Sequence, residues 1–169
     1  MLRPAIVVVS LACLGMPACA GSGSAGSTQP AELSLSIGNA DGELASVALT
    51  EDRFAIGYRN SLYGTWAEER YAVQPDGSYT LVQIAADQLA LLEEYYSLPG
   101  APRPADPADR RDWIADPDPG RPGKFTDLSL AATDLGQRTL LVPGNPPLEL
   151  WTLVDDDRPF VVLTLKETL

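Results

Sequence analysis

RFAIGYRN at residues 53–60, followed by WAEERYAV at 66–73, is the stretch that decides the fold. Side chains on a β-strand alternate between two faces. Read that way, Phe54, Ile56 and Tyr58 share a face, and Asn60 continues it. In the second segment Ala67, Tyr71 and Val73 share a face with Glu69 among them, while Trp66, Glu68 and Arg70 take the opposite one. Two adjacent segments of period two predict an antiparallel hairpin. Pro75-Asp76-Gly77 is a strong turn, and Tyr79–Ala85 reads as the next strand.

The same pattern extends outward. Leu33–Ile37 alternates as LSLSI, and Ala45–Leu49 follows Asp41-Gly42. Towards the other end come Asp127–Ala132, Arg138–Val142, Leu148–Val154 and Phe160–Leu165. Turn signals at this spacing predict an all-β fold, a single antiparallel sandwich or barrel of about eight to nine strands. Asp155-Asp156-Asp157 lacks the ligand spacing of a calcium loop and reads as a solvated turn.

One segment departs from the β pattern. Residues 87–96 are rich in helix formers, and Leu89, Leu92 and Tyr96 fall on one helical face. Asp87 is placed to cap its start, and Pro99-Gly100 to end it. The expectation is one short helix over about 87–96 closing an end of the sheet structure. Residues 98–123 follow as a long Pro- and Asp-rich loop, pinned to the body by Trp113-Ile114. Long irregular loops in compact domains are functional or mobile.

The first residues address the chain for export. Arg3 precedes an apolar run from Ala5 to Gly15, too short to span a bilayer but suited to a signal peptide over residues 1–18. Two processing routes fit. Met16-Pro17-Ala18-Cys19 resembles a lipobox, cut before Cys19 so that its thiol takes lipid; Ala18-Cys19-Ala20 would instead serve an ordinary secretory cut. Of the two cysteines, one stands where a lipobox needs it, so the reading is a lipoprotein anchored through Cys19. Residues 19–30 are a Gly/Ser-rich tether, and residues 31–169 the β domain. Ala20 after Cys19 points to the outer membrane, facing the periplasm, in a Gram-negative host.

Composition narrows the chemistry further. The chain carries 12 basic and 23 acidic residues. Loss of Arg3 with the signal peptide leaves 11 against 23, a net −12. Such a surface repels phosphate backbones, so no nucleic-acid partner is expected. The chain contains no histidine, which removes Ser-His-Asp and Cys-His catalysis and His-based zinc sites. Lys124 and Lys166 are the only lysines, and neither has a local motif linking it to Ser61. No metal site, cofactor or catalytic residue is expected.

One constellation stands out. Antiparallel pairing of Tyr58 with Tyr71 would set Asn60 directly opposite Glu69, both on the apolar side. A carboxylate there is costly unless it is hydrogen-bonded. Asn60 is a candidate donor, with the Ser61, Tyr58 and Tyr71 hydroxyls. These five residues are either a satisfied polar cluster in the structure or the lining of a small-ligand pocket. A register slip would rearrange them. Glu68 and Glu69 face opposite ways and cannot serve as a glycosidase acid/base pair.

Residues 54–61, 68–73 and 75–77 resemble the bacterial family catalogued as domain of unknown function 1850. The family pattern is Phe-x-x-x-Tyr-x-His-Ser, a Glu eight residues past the Ser, an aromatic two later, and an Asp-Gly turn. Here these fall on Phe54, Tyr58, Ser61, Glu69, Tyr71 and Asp76-Gly77, with Asn60 in place of the family's His. Asn hydrogen-bonds but takes no proton near neutral pH. The resemblance covers most of 45–169, and its specific part is 54–77. Family members are often encoded beside TAXI-type TRAP transporters, which import organic acids; the resemblance thus implies a periplasmic accessory role. The expectation is a non-enzymatic envelope protein that meets the membrane through its anchor and binds a protein partner or small organic solute. A carboxylate-based hydrolase and a purely structural lipoprotein are the alternatives.

Overall fold

A computed structural model describes residues 32–168 other than 97 and 122. The expected signal peptide, Cys19 and the tether lie outside the described residues. Among the described residues twelve strands occur in order: β1 (Glu32–Asn39), β2 (Gly42–Ala48), β3 (Arg53–Asn60), β4 (Thr65–Val73), β5 (Tyr79–Ala86), β6 (Arg103–Pro104), β7 (Trp113–Ala115), β8 (Lys124–Phe125), β9 (Asp127–Ala131), β10 (Thr139–Leu141), β11 (Leu148–Glu149) and β12 (Phe160–Thr168). They form two open antiparallel sheets. The smaller has the order β2-β1-β12-β9, and the larger β11-β10-β3-β4-β5-β7-β6, with β8 also pairing with β5. The fold is therefore all-β, as the alternation predicts, and a sandwich rather than a closed barrel.

Alternation explains why the sheets stack. Leu35 and Ile37 of β1, Val161 and Leu163 of β12 and Leu130 of β9 pack against Phe54, Ile56, Tyr71, Tyr79 and Leu140 of the larger sheet. Phe54 stacks on Tyr71 with centroids 5.1 Å apart, and Tyr79 meets both rings edge-on. Offset and edge-on pairs of this kind add about 0.5–1.5 kcal/mol beyond the area they bury. Tyr79 Oη donates to the Leu163 carbonyl at 2.8 Å, a buried bond tying one sheet to the other.

The larger sheet is wider than the smaller one, and its uncovered part has its own lid. Tyr58, Ala67, Ile84, Ala86 and Ala115 form a second apolar cluster with Leu91 and Leu92. The lid differs from the expected helix over 87–96. It is one wide helical turn, Leu91–Tyr95, closed by Tyr96 N–H donating to the Leu91 carbonyl at 3.2 Å. A segment this short does not sustain a regular helix alone, and the wide turn lets the adjacent Leu91 and Leu92 both be buried. Asp87 is not its cap: Ala90 holds that position without a side-chain bond.

The Pro/Asp-rich stretch is also more ordered than its composition suggests. β6 pairs with β7, and β7 lies along β5 with Ala86 opposite Trp113 and Ala85 opposite Ile114. Trp113-Ile114 thus pins it as expected. These short strands, with β8, raise the strand number above the expected eight to nine. The segment 148–154 runs the other way: only Leu148–Glu149 is strand, and Leu150–Thr152 forms a 3₁₀ turn that buries Leu150. Asp155–Asp157 are exposed in the turn before β12. Among the described residues no helix is long and apolar enough to cross a membrane.

Replacing Tyr79 by Phe removes the hydroxyl that bridges the sheets. It should cost about 1–2 kcal/mol of stability, seen as a lower urea midpoint with unchanged slope.

Candidate functional site

β4 presents one glutamate to each face of the larger sheet, and each builds a different environment. On the inner face, Glu69 meets Tyr71, whose hydroxyl donates to Oε2 at 3.0 Å, and Tyr96, whose hydroxyl donates to Oε1 at 2.9 Å. The Tyr58 and Tyr96 hydroxyls lie 2.6 Å apart. A hydroxyl has one proton, and Tyr96 gives its own to Glu69, so Tyr58 donates to Tyr96. Burial pushes the Tyr58, Tyr71 and Tyr96 phenols well above their ordinary value, and the Glu69 charge adds to this. All three stay protonated, Tyr71 and Tyr96 as donors to Glu69 and Tyr58 as donor to Tyr96. Arg138 lies over the Tyr58 ring, 4.9 Å from its centroid.

The expected partnership of Asn60 with Glu69 is not formed. Tyr58 pairs with Ala67, Asn60 with Thr65, and Glu69 with Ile56. The register follows from the short connection Ser61–Gly64, which Gly64 closes with φ +65°, a left-handed conformation suited to glycine. Asn60 Oδ1 accepts from the Leu62 and Tyr63 N–H groups at 3.0 and 3.1 Å. Asn60 therefore organises the turn, and Ser61 is exposed within it. Of the five residues singled out, Tyr58, Glu69 and Tyr71 come together, joined by Tyr96; Asn60 and Ser61 do not.

On the outer face the Glu68 side chain has no exposed surface. Its cover is the loop between β6 and β7. Asp106 shapes that loop by accepting from Ala108 N–H at 2.8 Å, and Ala105 N–H closes it on the Asp112 carbonyl at 2.9 Å. The result points Asp109, Arg110 and Arg111 at β4. Arg110 donates from Nε and Nη2 to the two Glu68 oxygens at 2.9 and 2.8 Å. Arg111 Nε donates at 3.0 Å, and Arg70 Nε and Nη2 at 3.2 and 3.1 Å. Asp109 accepts from Arg70 through both oxygens, at 2.8 and 2.5 Å, and Asp87 accepts from Arg111 at 3.1 Å. Three carboxylates thus balance three guanidiniums.

Burial raises the Glu68 carboxyl, but the Arg110 hydrogen bonds and the charges of Arg110, Arg70 and Arg111 overcome it and hold the group below its ordinary value. The Arg70 hydrogen bonds take Asp109 from 3.8 down to about 2. The loop is consequently a strap latched to the sheet by charge-assisted bonds, the stronger kind.

The strap forms one wall of a groove of about 890 Å³ on the outer face. Ala55, Ala72 and Leu141 contribute its apolar floor and Val82 its rim, with Arg70 and Gln83 beside them. Ala55 is only 4% exposed, so the groove is deep there. Val82 is the extra residue of a β-bulge opposite Arg70 and Tyr71, a device that re-aims side chains near sites. The other wall is the turn Pro143–Pro147. Thr50 Oγ1 donates to the Pro143 carbonyl at 2.8 Å, and Asn145 Nδ2 to the Ala48 carbonyl at 3.1 Å. Both walls are therefore fixed by hydrogen bonds.

No family model, curated protein or solved structure matches the chain.

Sequence reasoning placed Glu68 on the solvent side of β4 and so passed over it. The available signal was Arg110-Arg111, a basic pair inside an acidic Pro-rich stretch. Among the described residues no group of three or more Cys, Asp or Glu side chains is placed to hold a metal ion.

Glu68→Ala should destabilise the fold by about 3–5 kcal/mol, because it leaves three guanidiniums facing an uncharged gap; the urea midpoint measures this. A second outcome concerns acid. Carboxyls held low when folded stabilise above their unfolded pKa, and that contribution is lost as pH falls through the folded one. For Asp109 the window runs from 3.8 to about 2. Asp109→Asn should therefore lose less stability than the parent protein when urea unfolding at neutral pH is compared with unfolding in that window.

Proposed function

We propose that this chain is an exported, lipid-anchored protein of the cell envelope that binds a ligand in the outer-face groove without transforming it. The observation that carries this reading is the fixing of both groove walls, by the Glu68 latch on one side and by Thr50 and Asn145 on the other. A preformed concavity loses little freedom on binding, and its volume suits a small organic molecule. The inner-face cluster supports the reading less well. Tyr58 and Tyr71 are buried, and their hydroxyls are engaged within the protein.

The export half rests on the apolar run Ala5–Gly15 and on Cys19. The resemblance to domain of unknown function 1850 supports a periplasmic accessory role. Its specific stretch, 54–77, includes β3 from Phe54 on, β4 and the turn between them. The departure from the family pattern, Asn60 for His, falls where the side chain holds a turn, so the role proposed here does not depend on a titrating group there.

Two measurements test the proposal. Nile red, a neutral dye, should brighten on binding the soluble domain, and Ala72→Phe, which fills the floor, should weaken binding about tenfold or more. Unchanged affinity in Ala72→Phe would remove the groove from the function. Intact mass of protein from membranes should show diacylglycerol on an N-terminal Cys19, and Cys19→Ala should release the protein. A mature chain beginning at Gly21 without lipid would overturn the anchor.

A further inference from the structure

The groove is chemically two-sided. Ala55, Ala72, Val82 and Leu141 supply an apolar stretch, and Arg110 and Gln83 stand beside it. Their donors are not all spent. Gln83 Oε1 accepts from Arg70 Nη1 at 2.8 Å, which orients the amide and leaves Nε2 with no acceptor among the described residues. Arg110 uses Nε and Nη2 on Glu68, and its Nη1 likewise has no acceptor among them. The Arg110 side chain is 59% exposed, so it is open to solvent and ligand.

We infer that the groove takes a small amphiphile with a single negative charge, a carboxylate on an apolar body, whose head accepts from Arg110 Nη1 and Gln83 Nε2. This rests on the groove being a binding site at all. The charges around it set the class. Arg53, Arg70 and Arg110 line the groove against Asp52 and Asp109, and Glu51 and Glu68 pair with Arg53 and Arg110, so the surroundings favour the smallest anionic charge that still accepts two hydrogen bonds. One guanidinium edge and one amide match a carboxylate in number, and charge assistance makes such bonds selective. A doubly charged phosphate would meet Asp52, Asp109 and Glu51 with twice the charge of a carboxylate. An extended peptide fits less well. β3, β4 and β5 each have a strand neighbour on both sides, so the floor offers mainly side chains to a peptide backbone.

Decanoate, methyl decanoate and decylamine differ in head charge on one chain length, and calorimetric titration into the soluble domain separates them. Decanoate should bind about tenfold or more tightly than its ester, with decylamine weakest. Gln83→Glu keeps an acceptor for Arg70 but sets a carboxylate where the head would lie. It should lose decanoate about tenfold or more and keep the ester. Arg110→Gln should do the same, and its melting temperature checks that the latch survives. Equal binding of acid and ester, or unchanged decanoate affinity in Gln83→Glu, would overturn the carboxylate assignment while leaving the groove as an apolar site. Tighter binding of the tripeptide Ala-Leu-Leu or of decyl phosphate would assign the anion to a peptide end or a phosphate instead. If none of these probes binds, and Nile red binding ignores Ala72→Phe, the groove itself is refuted as a binding site.

Discussion

The outer half of this molecule depends on one buried carboxylate. Removing a charge from water is costly, and the cost is offset only when good hydrogen bonds surround it. Glu68 meets that condition with five donor contacts from three arginines. Because Arg110 and Arg111 come from the strap and Arg70 from the sheet, the bond set that keeps Glu68 satisfied also holds a Pro-rich loop in place. The groove wall is thus a by-product of solvating a charge internally. An apolar residue at position 68 would not need the strap, and the strap would have no reason to lie there.

The inner face follows a different logic. The larger sheet extends beyond the smaller one, so part of its apolar face needs a second cover, which Leu91 and Leu92 provide. Glu69 lies between the two apolar clusters, half-buried. Tyr71 belongs to one cluster and Tyr58 to the other, and the Tyr58–Tyr96–Glu69–Tyr71 hydrogen bonds join them. Here neutral phenols, not guanidiniums, solvate the carboxylate, which suits a site that is only partly withdrawn from water.

Much of the fold was legible in the chain because a strand reports its faces directly. Phe54, Ile56, Tyr71 and Val73 were assigned to the inner side by alternation alone, and they pack there. Register was not legible. Pairing depends on where the connecting turn closes, and Gly64 closes it four residues past Asn60. The side assigned to each residue held, but the partner did not: Glu69 faces Ile56, and Asn60 faces Thr65. The helix over 87–96 failed for a related reason. Composition reports helix preference, yet the need to bury two neighbouring leucines against a sheet decides the local winding. The groove was the least visible feature. Its residues come from four strands and three loops, and a polar position on an outer face carries no mark of a cover supplied some forty residues later.

The pairing of β1 with β12 sets the order in which the molecule can be completed. The first described strand is hydrogen-bonded to the last, Glu32 opposite Thr168 and Ile37 opposite Leu163. β9 joins the smaller sheet only through β12. A chain made from its N-terminus therefore carries Leu35 and Ile37 with β2 on one side and no neighbour on the other until residues 160–168 arrive. Contacts so distant in sequence form slowly, and apolar strands left waiting are open to pairing with other chains. The hairpins of the larger sheet close locally and need no such delay. Assembly of this sandwich is thus divided by its topology: one sheet can form as its residues appear, and the other waits for the last strand.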